Sequence, residues 1–236
     1  MSCKVILLEH TPRADSLVAA AARLCYSDSS ATELAARSSG ETDEAQSRFL
    51  AGLWKSGHHS PLEHASFTFG VDGLSRVASH QLVRHRVASY SQQSQRYVKM
   101  GQSGAAAVVT PPSVLSNSQA LLIFNRQAEA SLAAYEELCA LGVPAEDARF
   151  ILPHGWETRL VFTMNARELH HFFALRLCRR AQWEIQSLAR QMLRLTRAAA
   201  PLLFRVSGPS CVTGQCSEAR PCGKPYVDME DLLAQQ

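Results

Sequence analysis

A chain of 236 residues with 46% apolar side chains is long enough to bury a sizeable core and ordinary in composition for a globular protein. Its formal net charge of +3 is too small to imply a nucleic-acid or membrane-surface partner. No stretch approaches the roughly 18 consecutive apolar residues of a membrane helix. The basic residues divide into 20 Arg and 4 Lys. A GC-rich genome would give that bias, as it would the many alanines. A functional cause requires arginines gathered at one site. Seven cysteines spread from Cys3 to Cys222 favour free thiols in a reducing, cytoplasmic setting.

In chain order, MSCKVILLEHTPR reads as a first strand over Val5–Leu8 rather than a signal peptide. Asp15 to about Tyr26 reads as an Ala-rich helix, and 27–43 as a polar loop. Thr42 with Asp43 and Glu44 opens a helix that ends near Gly57. HASFTFGV (64–71) alternates Ala65, Phe67, Phe69 and Val71 with the period of a half-buried strand. Ser75 caps a helix to about Arg84, and SYSQQSQ follows as an ordered loop. Gly101 to Pro112 reads as a small-residue strand followed by a turn. A helix runs from about Asn117 to Leu141, before Gly142. The next begins at VPAED, with Pro144 in its first turn. From Asn165, with Glu168 close to a capping box, nothing breaks a helix before Pro201, about 50 Å at 1.5 Å per residue. Its apolar stripe, Ala181, Ile185, Leu188, Met192, Leu195 and Ala199, and its length point to packing between subunits. No repeat or linker divides the chain. The expectation is one domain over 1–236, with a short Cys-containing appendage from about 208.

The most informative segment is RHRVASYSQQSQRY (84–97). It holds three arginines, a histidine, three serines and three glutamines, and no Asp or Glu occurs between Asp72 and Glu129. Guanidinium forks with hydroxyls and amides, free of carboxylates, suit a phosphorylated ligand. A solvated basic face or an RNA contact is the plainer alternative, yet only Tyr90 and Tyr97 could stack on bases. Three further segments carry polar chemistry. In GHHSPLEH (57–64) the histidine spacing and Pro61 do not fit a helix-borne metal pair, so His58, Ser60 and Glu63 read as ligand contacts. At the start of the last long helix, Asn165 and Arg167 mark an anion-favouring N-terminus, with His171 on the Arg167 face. Arg176 lies on the opposite side. In CVTGQCSEARPC the gaps between Cys211, Cys216 and Cys222 do not match paired CxxC knuckles. Zinc there would need a ligand from elsewhere, and free thiols are the simpler reading. No metal site is expected. No GxGxxG, P-loop or GxSxG motif is present.

RHRVASYSQQSQR, with the spacing RHR-x2-S-x4-S-x-R, resembles the signature of flavin-dependent thymidylate synthases. The resemblance extends through GHHSPLEH, VPAEDARFILP and NAR…LR…AQWEIQ, covering roughly residues 45 to 200. It implies an α/β (α+β) fold, a sheet flanked by long helices in a homotetramer whose sites are shared between subunits. It also implies reductive methylation of dUMP to dTMP. Methylenetetrahydrofolate would supply the carbon, NADPH-reduced FAD the hydride, and tetrahydrofolate would be left.

By position, Arg84, His85, Arg86 and Val87 resemble FAD contacts, with His58, Ser60, Asn165 and Arg167. Gln92, where members often have Glu, and His171, where some have Asn, each keep a hydrogen-bonding group toward the flavin. Gln81, Arg84, Gln92, Ser94, Gln95, Arg96, Arg149 and Arg176 resemble dUMP contacts. Arg176 resembles the arginine that activates the uracil ring. The resemblance implies no nucleic-acid or membrane partner. The alternative is another flavin-dependent nucleotide-modifying enzyme on the same scaffold.

Overall fold

The computed structural model describes residues 3–40, 42–101 and 105–234. β1 (Lys4–His10) leads into α1 (Ala14–Leu24), α2 (Ala31–Ser39) and α3 (Asp43–Lys55), then a 3-10 turn over Ser60–His64. β2 (Ser66–Ser75), α4 (Arg76–Leu82) and β3 (Ala88–Gln92) follow, and then α5 (Pro112–Leu115), α6 (Ser118–Ala140) and α7 (Ala145–Ala148). β4 (Glu157–Asn165) runs directly into α8 (Ala166–Arg176); α9 (Trp183–Ala199), α10 (Ser210–Thr213) and α11 (Met229–Ala234) complete the α/β fold. The four strands make one antiparallel sheet in the order β1-β2-β4-β3. Among the described residues no helix is long and apolar enough to cross a membrane.

Local chemistry explains most of these boundaries. The hydroxyls of Thr42 and Ser75 accept from the N–H groups of Ala45 and Ala78, and the Asn117 carbonyl oxygen accepts from Ala120, each satisfying a first-turn donor. β2 buries Phe67, Phe69 and Val71, and β4 buries Leu160, Phe162 and Met164, the alternation of strands with one face in a core. Asn165 closes β4 and caps α8 through Oδ1, 2.9 Å from the Glu168 N–H.

Several expectations need correction. The polar stretch 27–43 contains α2, started by a capping box in which Ser30 and Glu33 bond each other's backbone N–H. The first part of SYSQQSQ, through Gln92, enters the sheet as the edge strand β3, where a polar segment is tolerated, while residues 93–95 form the expected loop. Of the expected strand at 101–112, residues 102–104 lie outside the described residues. The rest makes one bridge, Val108 to Trp156. Pro144 is the N-cap of α7 rather than a residue of its first turn.

The long helix from Asn165 to Pro201 is two helices. α8 stops at Arg176, and α9 starts afresh because Gln182 Oε1 accepts from the N–H groups of Glu184 and Ile185. The argument for subunit packing from helix length therefore falls away.

Cα packing divides the chain into two compact units, one comprising 1–4, 71–84 and 91–160, the other 5–70, 85–90 and 161–236. In the first, Met100, Leu132, Tyr135, Ala148 and Trp156 form the core, and the Tyr135 hydroxyl accepts from the Met100 N–H. In the second, Phe67, Phe69, Phe162, Phe172, Phe173 and Phe204 are fully buried. Phe67 meets Phe204 edge-on at 5.2 Å, and Phe69 stacks on Phe162 at 5.4 Å. Each such ring contributes on the order of 2–3 kcal/mol by leaving water.

Candidate active site

In the second unit the site grows from the junction of β4 and α8. Arg84 and Arg86 are exposed while His85 between them is buried, so the triplet after α4 is extended rather than helical. His85 Nδ1 lies 2.9 Å from Glu168 Oε1, and its Nε2 accepts from Arg176 Nε at 3.0 Å. A guanidinium can only donate. His85 must therefore be neutral, with its proton on Nδ1 donated to Glu168. Burial first, then the charges of Arg176 and His171, lowers its pKa to about 4, consistent with that tautomer. Burial raises the Glu168 carboxyl, against the lowering pull of His171 and Arg167. The Tyr90 hydroxyl donates to the His85 carbonyl at 2.8 Å and fixes the backbone of the triplet.

Around this relay, Arg167 at the start of α8 pairs with Glu63 of the 3-10 turn, both half exposed. Glu63, expected to reach a ligand, thus has a protein partner. His58 is exposed, its Nδ1 3.5 Å from the Tyr26 hydroxyl; Ser60 is exposed at the start of the turn, as is His171 on α8. Val87 is exposed as well. His59 stacks on Trp54 at 4.3 Å. The histidines of GHHSPLEH therefore have separate surroundings. His85, Glu168 and His171 do bring ligand atoms within 4.8 Å of one another. Both His85 nitrogens already have protein partners, which makes this group a hydrogen-bond relay.

The first unit holds most of the residues expected to read the nucleotide. Gln81 is half buried on α4, and its carbonyl accepts from the Arg84 N–H at 3.3 Å. Gln92 Nε2 lies 3.1 Å from both Ser79 Oγ and Thr158 Oγ1. Ser94 Oγ accepts from the Arg96 N–H, Gln95 is buried, and Arg96 Nε pairs with Glu146 at 2.6 Å. Arg149 Nε donates to the Glu146 carbonyl at 3.0 Å.

One residue here escaped the sequence reading. Arg76, the first residue of α4, donates from Nη2 to the Gln93 carbonyl, while its buried Nε has no hydrogen-bond partner. Burial, then the charge of Arg149, lowers its pKa. A buried donor without an acceptor, beside a second guanidinium, fits a phosphate group. Only its place outside the 84–97 window hid it. Glu168 escaped for another reason. Its position suited a capping box, and nothing local shows that its partner lies 83 positions earlier.

Comparison with known proteins agrees with this chemistry. The family model described as thymidylate synthase complementing protein (Thy1) matches residues 6–202, and the chain belongs to that family. It is 53% identical to the flavin-dependent thymidylate synthase of Geobacter sulfurreducens over 94% of each chain. The protein of the same description from Clostridium tetani is 46% identical, over 95% of this chain and 94% of that one. Among solved structures, the UMP/dUMP methylase PolB of Streptomyces cacaoi, bound with 5-Br dUMP, superposes with a TM-score of 0.73 at 26% identity. That match covers 86% of this chain and 93% of PolB.

Proposed function

We propose that this chain is a flavin-dependent thymidylate synthase that methylates dUMP to dTMP. Methylenetetrahydrofolate is the carbon donor, NADPH the reductant, FAD the flavin, and tetrahydrofolate the folate product. The family and its relatives support the reaction. The observation that carries it to this chain's own residues is the Glu168–His85–Arg176 relay.

Methylation at C5 of a uracil requires electron density at that carbon, which grows as negative charge is favoured on the ring. A guanidinium held in one orientation by a neutral imidazole is preorganised to stabilise that charge. Arg176 is the catalytic residue in this reading, and His85 and Glu168 position it. No protein nucleophile is needed. The Ser94 hydroxyl already accepts from the Arg96 N–H, which suits ligand binding.

The donor set also fits the two phosphorylated ligands. Arg76 and Arg149, with Gln81, Arg84, Gln92, Ser94, Gln95 and Arg96, hold dUMP. Arg84, Arg86 and Arg167, with His58, Ser60, Val87, Gln92, Asn165 and His171, hold FAD, which supplies the hydride chemistry when bound. His85, in the same triplet, serves the flavin site through its backbone and Arg176 through its ring. Arg96 and Arg167 each carry an exposed carboxylate partner that a ligand phosphate would replace. The whole chain acts as one catalytic domain in the cytoplasm, within a homotetramer. The exposed Leu122 and Ile123 of α6 support a subunit contact.

The test is NADPH oxidation by purified protein with added FAD, in the presence and absence of dUMP. Stimulation by dUMP is expected. Oxidation indifferent to every pyrimidine nucleotide would overturn the reading.

A further inference from the structure

Four of the seven cysteines line one cavity of about 360 Å³ in the second unit: Cys178, Cys211, Cys216 and Cys222. The three C-terminal thiols lacked a fourth partner in the sequence. The fold supplies it as Cys178, in the link between α8 and α9. We propose that these four thiols are the ligands of an iron–sulfur cluster of the four-iron type.

Three observations support the site. First, two of the thiols accept a backbone N–H from two residues further on. Arg180 donates to Cys178, and Lys224 donates to Cys222 Sγ at 3.4 Å. N–H···S bonds of this kind shape a loop around a metal-bound sulfur.

Second, residues 214–225 are all exposed and form no helix or strand, so apolar burial does not hold them in place. A segment of this kind needs a cross-link, and all seven cysteines are free of disulfides. The present ties are polar. Arg180 reaches Glu218 Oε2 and the Arg220 carbonyl, and Ser217 bonds Ser210.

Third, size selects among metals. Four thiolates on one zinc ion, at about 2.3 Å each in a tetrahedron, lie about 3.8 Å apart. Among the described residues, no three of these sulfurs come within 4.8 Å of one another. All four nevertheless line the same cavity. A cubane binds each thiolate to a different iron and so spreads the sulfurs apart. On the cavity wall Arg179 is paired with Asp231, and Glu218 with Arg180, so neither wall charge stands alone.

The experiment is metal analysis of the full-length protein, produced with ample iron, purified without oxygen and reconstituted with ferrous iron and sulfide. About four irons and four acid-labile sulfides per chain are expected. Cys216→Ser should lose most of both, while Cys25→Ser, outside the cavity, keeps them. Zinc without labile sulfide would overturn the proposal, and so would disulfides among the four residues or folded wild-type protein with no metal after reconstitution. Because the wild-type stoichiometry decides, a variant that fails to fold does not blunt the test. Metal content is also read independently of thymidylate formation.

Discussion

Arg176 donates its Nε–H to His85 Nε2 at 3.0 Å, and the other face of that imidazole is held by Glu168 at 2.9 Å. A side chain with several free torsions is thereby pinned at its guanidinium by a buried ring whose tautomer a carboxylate fixes.

Arg176→Ala should lower dTMP formation by about 10²–10³-fold, the usual cost of removing a donor aimed at developing charge, while FAD remains bound. Arg176→Lys should not restore the rate, because an ammonium lacks the planar fork. Steady-state turnover and flavin absorbance decide this. Wild-type turnover in either variant would remove Arg176 from the mechanism.

Glu168→Leu should lower kcat by roughly tenfold with little change in KM for dUMP, because orientation is lost rather than uniform binding. Glu168→Gln, which can still accept from His85 Nδ1–H, should recover most of it. A rise in KM alone would show that Glu168 supports ligand binding and not the posture of Arg176.

Arg149→Ala should weaken dUMP binding by about 10–150-fold, the loss of one charged hydrogen bond. Binding of deoxyuridine, which has no phosphate, should be unchanged. Calorimetry with both ligands reads the difference. Equal losses for the two would place Arg149 at the base or sugar.

His170 is buried, stacked on Trp54 and Phe204, with Ser207 Oγ 2.7 Å from its Nδ1. Burial is the main cause that lowers its pKa to about 4, with His85 held near the same value. An unfolded histidine titrates near 6.5, so between about pH 6.5 and 4 the unfolded chain binds more protons than the native one. Stability should therefore fall as pH drops through that window. The raised carboxyls of Asp15 and Glu168 act in the opposite sense. The cleaner reading is the difference between wild type and His170→Gln, whose Tm should depend less on pH. Parallel Tm profiles would contradict the assignment of a neutral His170.

Phe204 touches Phe67, Phe173 and His170 at the centre of the second unit. Phe204→Ala should cost about 3–5 kcal/mol by lost burial and the cavity left behind. Denaturant unfolding checks the value, and a loss below about 1 kcal/mol would mean that this core repacks freely.

Much of this was legible in the sequence because its signals are local. Thr42, Ser75, Asn117 and Asn165 announced helix starts, and Phe67, Phe69 and Val71 announced a strand with one buried face. Where the sequence misled, the deciding contact was tertiary or the local signal was outweighed. Polar composition concealed α2, although Ser30 and Glu33 carried its capping box. The helix break after Arg176 has neither Gly nor Pro to mark it and rests on the Gln182 side chain. The arginine-rich window was visible as chemistry. The partners of its members, Glu168 for His85 and Glu146 for Arg96, come from distant segments that only the fold brings near. Cys178 comes to line one cavity with the C-terminal thiols in the same way.

The central claim is best tested by product analysis. Purified protein is incubated with FAD, NADPH, methylenetetrahydrofolate and dUMP, and nucleotides and folates are separated. The account predicts dTMP and tetrahydrofolate in equal amounts. Dihydrofolate as the folate product, or no dTMP from protein that binds flavin and dUMP, would contradict it.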